Sequence, residues 1–170
     1  MVFQHFMLAD NLTVLENVVL GAENLHGIGG NARREITRIA QEYGLYVDPD
    51  DLVADLGVGD RQRVEILKVL YRGAKILILD EPTAVLVPQE VDELFDNLRE
   101  LKAEGLTVLF ISHHLEEVME VSDTVTVLRH GKEVATRPTA ELTKADLVQM
   151  MVGRAVSFDR RPRGPVTGKP

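Results

Sequence analysis

The sequence contains no cysteine and no tryptophan, and aromatic residues make up only 5% of it. The absence of cysteine excludes disulfide bonds and thiolate metal sites; it leaves the compartment open but favours the cytosol. No apolar stretch approaches the ~20 residues that a membrane-spanning helix needs. The N-terminus lacks both the basic region and the small-residue cleavage site of a signal peptide, so we expect none.

The sequence also contains fewer basic than acidic residues. The 170 residues include 19 Lys and Arg against 27 Asp and Glu, a formal net charge of -8. This balance argues against a broad nucleic-acid-binding surface, although it leaves a local phosphate site possible. Hydrophobic residues account for 45% of the chain, enough for one domain with an ample core.

The most informative stretch, residues 75–83, is an apolar run that ends in two carboxylates and a proline. Four large apolar residues between turn signals predict a strand buried on both faces of a parallel sheet. Asp80 and Glu81 then lie at its carboxyl end, where open α/β sheets bind ligands. Adjacent acids there suit a hydrated Mg²⁺ and an activated water, but they could equally cap the next helix.

A second strand is predicted to bring further polar groups to the same edge. Residues 88–103 have the pattern of an amphipathic helix that Gly105 ends, and residues 107–111 that of a buried strand. Strand, helix and strand of these lengths predict a parallel crossover. The triplet Ser112-His113-His114 would therefore lie beside Asp80 and Glu81.

The remaining segments have simpler interpretations. Residues 56–63 are glycine-rich and run directly into a helix, a pattern that allows an anion to approach free N–H groups but also fits a plain turn and cap. The other predictions are a strand end at 1–4, helices at 12–20, 31–44, 115–121 and 141–152, a glycine loop at 27–30, a helix N-terminus at 48–51, a β-hairpin at 124–136 edging the sheet, and a solvated tail at 154–170.

Taken in order, these motifs resemble the ATP-binding-cassette ATPases over nearly the whole chain. The matches are Gln4 with the Q-loop, Leu56 to Gln62 with the signature motif, Ile76 to Asp80 with the Walker B strand, Glu81 with the catalytic glutamate, Ala84 to Val87 with the D-loop, and His113 with the switch histidine. The resemblance implies an α/β, partial P-loop NTPase fold with a mostly parallel sheet, a helical subdomain and a C-terminal β-hairpin. It also implies segments at 1–72 (Q-loop and helical subdomain), 73–153 (second half of the catalytic core) and 154–170 (linker).

The resemblance further implies a role for each matching residue. ATP and Mg²⁺ would be the cofactors, with Asp80 and Gln4 as metal ligands and with Glu81 and His113 orienting the attacking water. The residues implied to contact nucleotide are Gln4, Gly57, Val58, Gly59, Asp60 and Gln62. Gly57 stands where the family usually has serine, which removes one hydroxyl donor to the γ-phosphate.

The closer resemblance is to the first cassette of bacterial importers of simple sugars or nucleosides. It implies membrane-spanning permease subunits and a second cassette as partners, a substrate-binding protein as an indirect partner, no nucleic acid, and a peripheral location at the cytoplasmic face of the membrane. The sequence has no G-x-x-x-x-G-K-[ST] loop to wrap the phosphates. We therefore expect an N-terminally truncated cassette that is inactive alone.

Two other functions remain open. The chain could be a non-catalytic half-cassette that donates its signature motif in trans. It could also belong to a cassette ATPase of DNA repair or translation, which the acidic charge and the lack of basic runs argue against.

Overall fold

A computed structural model describes residues 1–23 and 30–153 of the chain. Most of the predicted glycine loop and the predicted tail at 154–170 lie outside these residues. The regular elements are α1 (Val14–Val19), α2 (Gly30–Glu42), α3 (Val58–Tyr71), β1 (Ile76–Asp80), α4 (Pro88–Ala103), β2 (Thr107–Ile111), α5 (Leu115–Val121), β3 (Thr124–Arg129), β4 (Lys132–Pro138) and α6 (Lys144–Val152). Short 3-10 helices lie at Val53–Asp55 and Thr139–Glu141.

The helices before β1 form the layer that carries the glycine-rich segment. Helix α1 begins after Thr13, whose hydroxyl and Glu16 form the predicted capping box. Helix α2 ends just before Gly44, which adopts a left-handed conformation (φ +65°) as a chain reversal here requires. These helices share a core whose fully buried members include Val14, Val18, Ala32, Ile36, Val64 and Ile66.

Strands β1 and β2 pair in parallel, as predicted, with Ile76 opposite Thr107 and Asp80 opposite Ile111. The predicted strand end at the N-terminus is a single bridge on the other side of β1. The N–H of Val2 donates to Ile78 O (2.7 Å), and the N–H of Asp80 donates to Val2 O (3.1 Å). The residues after Val2 therefore leave the sheet beside the carboxyl end of β1.

Burial of this sheet differs from the prediction. Leu77 and Leu79 are fully buried, but Ile76 is 56% exposed, Leu109 48% and Ile111 46%. The prediction of strands buried on both faces is wrong for the described residues. Successive side chains of a strand point to opposite faces, and the described elements cover only one of them, where Phe95 of α4 packs edge-on against Phe110.

The acidic turn at 48–51 does not begin a helix, which corrects the prediction made for it. The chain instead makes an isolated bridge from Leu52 to Thr13, followed by the 3-10 helix. Asp50 pairs with Arg33 through both terminal guanidinium nitrogens. This hydrogen bonding holds the pKa of Asp50 below its usual value, so the carboxylate neutralises a helix arginine.

Packing divides the chain into two compact units, one from Met1 to Val121 and one that begins at Ser122. The second unit holds the predicted hairpin, which turns through His130 and Gly131, both with positive φ (51° and 71°). The hairpin forms its own two-stranded sheet, so the prediction that it edges the parallel sheet is wrong for the described strands. The predicted boundary between residues 72 and 73 stays a prediction.

The last helix begins three residues later than predicted. Thr143 caps α6 with Asp146, and the 3-10 turn precedes it. Within residues 1–23 and 30–153, no helix has both the length and the apolar character that a membrane crossing demands.

A buried amide orders the loop that leads into α1. Asn17 is 1% exposed. Its Nδ2 donates to Ala9 O (3.0 Å) and to Thr13 O (3.0 Å), while its Oδ1 accepts from the N–H of Ala9 (2.8 Å). This one side chain satisfies backbone groups that the loop itself leaves unpaired.

We expect Asn17→Asp to lower the free energy of unfolding by about 2–3 kcal/mol, because it removes the buried donors and adds a buried charge. Asn31→Asp is the matched control, since Asn31 is exposed and the same change there should cost under about 0.5 kcal/mol. Urea unfolding of both variants measures the difference. Equal costs would contradict the anchoring role.

Candidate functional site

The site begins where β1 ends. Asp80 is the last strand residue and is half-buried. Glu81 follows it in a left-handed conformation (φ +47°), which is uncommon for any residue other than glycine, asparagine or aspartate. The N–H of Glu81 donates to the carbonyl of Ile111 at the end of β2 (2.9 Å). This bond holds the strained residue in place. Because the backbone of Glu81 is left-handed, the side chains of Asp80 and Glu81 do not alternate between the two faces as they would in a regular strand.

Glu81 faces the residues that follow β2, as predicted. Nδ1 of His113 lies 2.8 Å from Glu81 Oε2, although the side chain of His113 is 67% exposed and that of Glu81 only 20%. The pair lacks hydrogen-bond geometry, and among the described residues the buried Oε2 has no hydrogen-bond partner. The His114 ring stacks on the His113 ring with centroids 4.2 Å apart.

A single carboxylate joins the two turns that carry these groups. Thr83 Oγ1 donates to Glu117 Oε2 (2.8 Å), and Ser112 Oγ donates to the same oxygen (3.2 Å). Ser112 Oγ in turn accepts from the N–H of His114 (3.0 Å). Glu117 therefore connects the turn after β1, which contains Glu81, to the turn after β2, which contains the histidines.

Gln62 of α3 reaches the same region from the other side. It is 3% exposed, and its Nε2 donates to the carbonyl of Pro82 (2.9 Å). Burial and this bond favour a role in positioning the turn after Glu81. The nucleotide contact implied for Gln62 stays a prediction.

The glycine-rich segment starts α3, as predicted, with Gly57 as the N-cap residue and Val58 as the first helical residue. The expected anion position is already approached by a carboxylate of this chain. The N–H of Gly59 donates to Glu90 Oε1 (3.2 Å), while the other oxygen of Glu90 accepts from the N–H of Val87 (3.0 Å). A side chain at position 59 would bring its Cβ within 2.8 Å of Glu90 Oε1, so glycine permits this approach.

The other predicted nucleotide contacts lie nearer to solvent. Asp60 Oδ1 accepts a hydrogen bond from Arg63 Nη1 (2.7 Å), so the carboxylate of Asp60 is paired within α3. Gly57 and Val58 are exposed, and so is Gln4, two residues beyond the bridge from Val2 to β1. The structure brings Glu81 and His113 together, and it leaves Gln4 and the start of α3 accessible.

The segment after Gln4 is tied directly to α3. The N–H of Met7 donates to the buried Glu65 (2.5 Å), and Nζ of Lys68 donates to Met7 O (2.7 Å). Two side chains of one helix thus hold both backbone groups of Met7. Movement of this segment and movement of α3 are therefore linked.

Sequence reasoning missed Glu90 and Glu117. Glu90 had a recognisable signal, because it stands at the third helical position after Val87 with a proline between them, the place where a glutamate reaches back to the chain entering a helix. Glu117 had none, because its partners Thr83 and Ser112 belong to turns far apart in sequence.

A parallel pair of strands, a helix that begins at a glycine and an acid–histidine pair at the carboxyl edge together fit the α/β fold of an ATP-binding cassette. The ABC transporter family profile matches residues 1–84. The chain is 49% identical over 161 residues to the nucleoside import ATP-binding protein NupA of Lactococcus lactis, a match that covers 93% of this chain and 32% of that protein. It is 48% identical over 159 residues to the ribose import ATP-binding protein RbsA 3 of Rubrobacter xylanophilus, covering 92% and 32%.

Among solved structures, cbiO1 from Clostridium perfringens, part of the ABC transporter complex cbiONQ, superposes with a TM-score of 0.72 at 30% identity, covering 82% of this chain and 57% of that one. The chain belongs to the ATP-binding proteins of the ABC transporter family, and its fold is that of their cassettes. It spans about a third of the length of the curated relatives it matches.

The left-handed backbone at position 81 leads to a stability prediction. We expect Glu81→Gly to be more stable than Glu81→Ala by about 1 kcal/mol, because a Cβ is strained at this φ. At an ordinary position the order reverses, as glycine is entropically costly. Glu104, with φ −80°, provides the matched glycine and alanine pair. Equal stability of the two position-81 variants in urea unfolding would contradict the strain.

Proposed function

We propose that the chain carries the hydrolytic part of the ATP-binding subunit of an importer for simple sugars or nucleosides. The observation that supports it most is the placement of Asp80, Glu81 and His113 at the carboxyl edge of the parallel sheet. The names of the relatives support the transport role and the choice of cargo class. Its partners would be permease subunits and a second cassette at the cytoplasmic face of the membrane, with a substrate-binding protein as an indirect partner.

The residues at the strand end suit a hard cation. Asp80 is half-buried, and no hydrogen bond or ion pair described in the structure uses its carboxylate. One such carboxylate beside phosphate oxygens is a usual way to hold Mg²⁺, and the exposed amide of Gln4 could add a second oxygen. Bound Mg²⁺ would neutralise charge on the phosphates of ATP.

Glu81 and His113 are then left for the attacking water. The buried Oε2 of Glu81 has an unused acceptor, so it can take a hydrogen bond from that water and orient it. The exposed imidazole of His113, whose Nδ1 lies 2.8 Å from the same oxygen, can hydrogen-bond a phosphate. Positioning and charge stabilisation account for most of phosphoryl-transfer catalysis, so this pair needs no covalent chemistry.

The signature segment would serve the opposite cassette. Its N–H groups at the start of α3 suit a phosphate, but Glu90 now occupies the donor of Gly59. An incoming phosphate must displace that carboxylate, which also holds the N–H of Val87 at the end of the predicted D-loop. Phosphate binding at α3 would therefore also affect the turn that follows Glu81.

Transmission to the permease would use the ties of Met7 to α3. Because Glu65 and Lys68 hold the backbone of Met7, closure of α3 on a partner cassette would pull the Q-loop segment with it. The chain lacks a G-x-x-x-x-G-K-[ST] loop, so we propose that it does not hydrolyse ATP alone.

The test is complementation of the 170-residue chain with a polypeptide that carries the glycine-rich Lys-Ser/Thr loop of a cassette from this family. We expect ATP hydrolysis only in the mixture, and a fall of about 100-fold or more with Glu81→Gln, which keeps the side-chain shape but not the charge. Glu104→Gln, an exposed carboxylate after α4, is the matched control and should retain the rate.

Phosphate release from the mixture measures both variants. Association of the two polypeptides without hydrolysis would overturn the catalytic role and support the half-cassette that donates its signature motif in trans. A Glu81→Gln variant as active as the parent would also overturn it.

A further inference from the structure

We infer that Glu81, His113 and His114 form a binding site for a divalent transition metal of the zinc class, distinct from the proposed Mg²⁺ position at Asp80. One ligand atom from each side chain lies within 4.8 Å of the other two. Two imidazoles and one carboxylate are a donor set that Zn²⁺, Co²⁺ and Ni²⁺ accept and that Mg²⁺, which prefers oxygen ligands, does not.

The anionic ligand of this site is the carboxylate of Glu81. Glu81 Oε2 is buried and has no hydrogen-bond partner among the described residues. A buried carboxylate oxygen without a donor is costly, at about 1–3 kcal/mol or more, unless a charge meets it. No lysine or arginine pairs with Glu81 in the described chain, so the groups that face it are the two histidines.

A backbone hydrogen bond helps to position His114. His114 is held through its N–H by Ser112, which Glu117 fixes in turn. Its ring stacks on that of His113 with centroids 4.2 Å apart and planes inclined by 37°.

Small side-chain rotations would complete the coordination. A tetrahedral Zn²⁺ with bonds of about 2.1 Å spaces its ligand atoms about 3.4 Å apart. Nδ1 of His113 already lies 2.8 Å from Glu81 Oε2, and both histidines are exposed. Water would fill the remaining position, as in open zinc sites.

The effect of this metal on ATP hydrolysis rests on the proposed function, whereas metal binding itself does not. A metal on these three residues would occupy the carboxylate and imidazole that we assign to the attacking water. It would therefore inhibit hydrolysis while leaving Asp80 available to Mg²⁺.

The test uses the 170-residue chain, Co²⁺ alone as the probe, excess Mg²⁺ in the buffer and no nucleotide. We expect a visible absorption band typical of low-coordinate Co²⁺, displaced by Zn²⁺. Both His114→Gln and Glu81→Gln should weaken Co²⁺ binding at least about 10-fold, the lower end of the loss seen when even an outer-shell partner is removed. His130→Asn removes a histidine outside the site and should leave binding unchanged.

Binding that is unaffected by His114→Gln, or that is lost with His130→Asn, would overturn the site. So would a chain that binds no Co²⁺ while its circular dichroism shows it folded. Unfolding midpoints of the variants separate lost ligation from lost structure, and His114→Ala gives a second removal of the same ligand. Failure of ATP hydrolysis in the complementation test would leave this result untouched.

Discussion

The carboxylate of Glu117 is the interaction on which the geometry of the site depends. It accepts hydrogen bonds from Thr83 and Ser112, which follow different strands. Parallel pairing brings the ends of β1 and β2 to one edge, but each strand is then free to continue in its own direction. The shared acceptor removes that freedom and keeps the turn that carries Glu81 next to the turn that carries His113.

The strain at Glu81 is stored inside this framework. A left-handed non-glycine residue persists only where its surroundings hold it. Here the restraints are the bond from the N–H of Glu81 to Ile111, the bond from Gln62 to Pro82 and the link from Thr83 to Glu117. These bonds restrain three consecutive residues. Within the described ranges, no group donates a hydrogen bond to Oε2 of Glu81, the acid that we assign to water activation.

The same turn is connected to the helical layer. Gln62 and Gly59 lie in the first turns of α3, and they contact the Pro82 carbonyl and the Glu90 carboxylate. Lys68 and Glu65, further along α3, hold Met7. One helix therefore contacts the segment after Gln4, the turn after β1 and the start of α4.

Local patterns predicted most of the elements correctly. The apolar runs at β1 and β2, the proline that begins α4 and the glycine that follows it act over a few residues, so sequence alone resolves them. Burial of Ile76, Leu109 and Ile111 was predicted wrongly, because a run of apolar residues indicates an apolar environment without saying which elements provide it. The acidic turn at 48–51 was misassigned since its bridge to Thr13 is a long-range contact.

In the site, adjacency along the chain predicted that Asp80 and Glu81 lie together, and parallel pairing predicted that His113 joins them. The role of Gln62 could not be predicted, because a glutamine in a glycine-rich segment does not indicate whether its amide faces solvent or a carbonyl 20 residues away. The role of Glu117 could not be predicted either, because its partners Thr83 and Ser112 belong to turns far apart in sequence.

The most direct test of this account is a double-mutant cycle between Thr83→Val and Glu117→Ala, read by the free energy of unfolding. If the shared carboxylate ties the two strand ends together, the coupling energy will be about 1–2 kcal/mol, as expected for a partly buried hydrogen bond to a charged group. Additive effects, with a coupling energy near zero, would contradict the claim that Glu117 holds the site together.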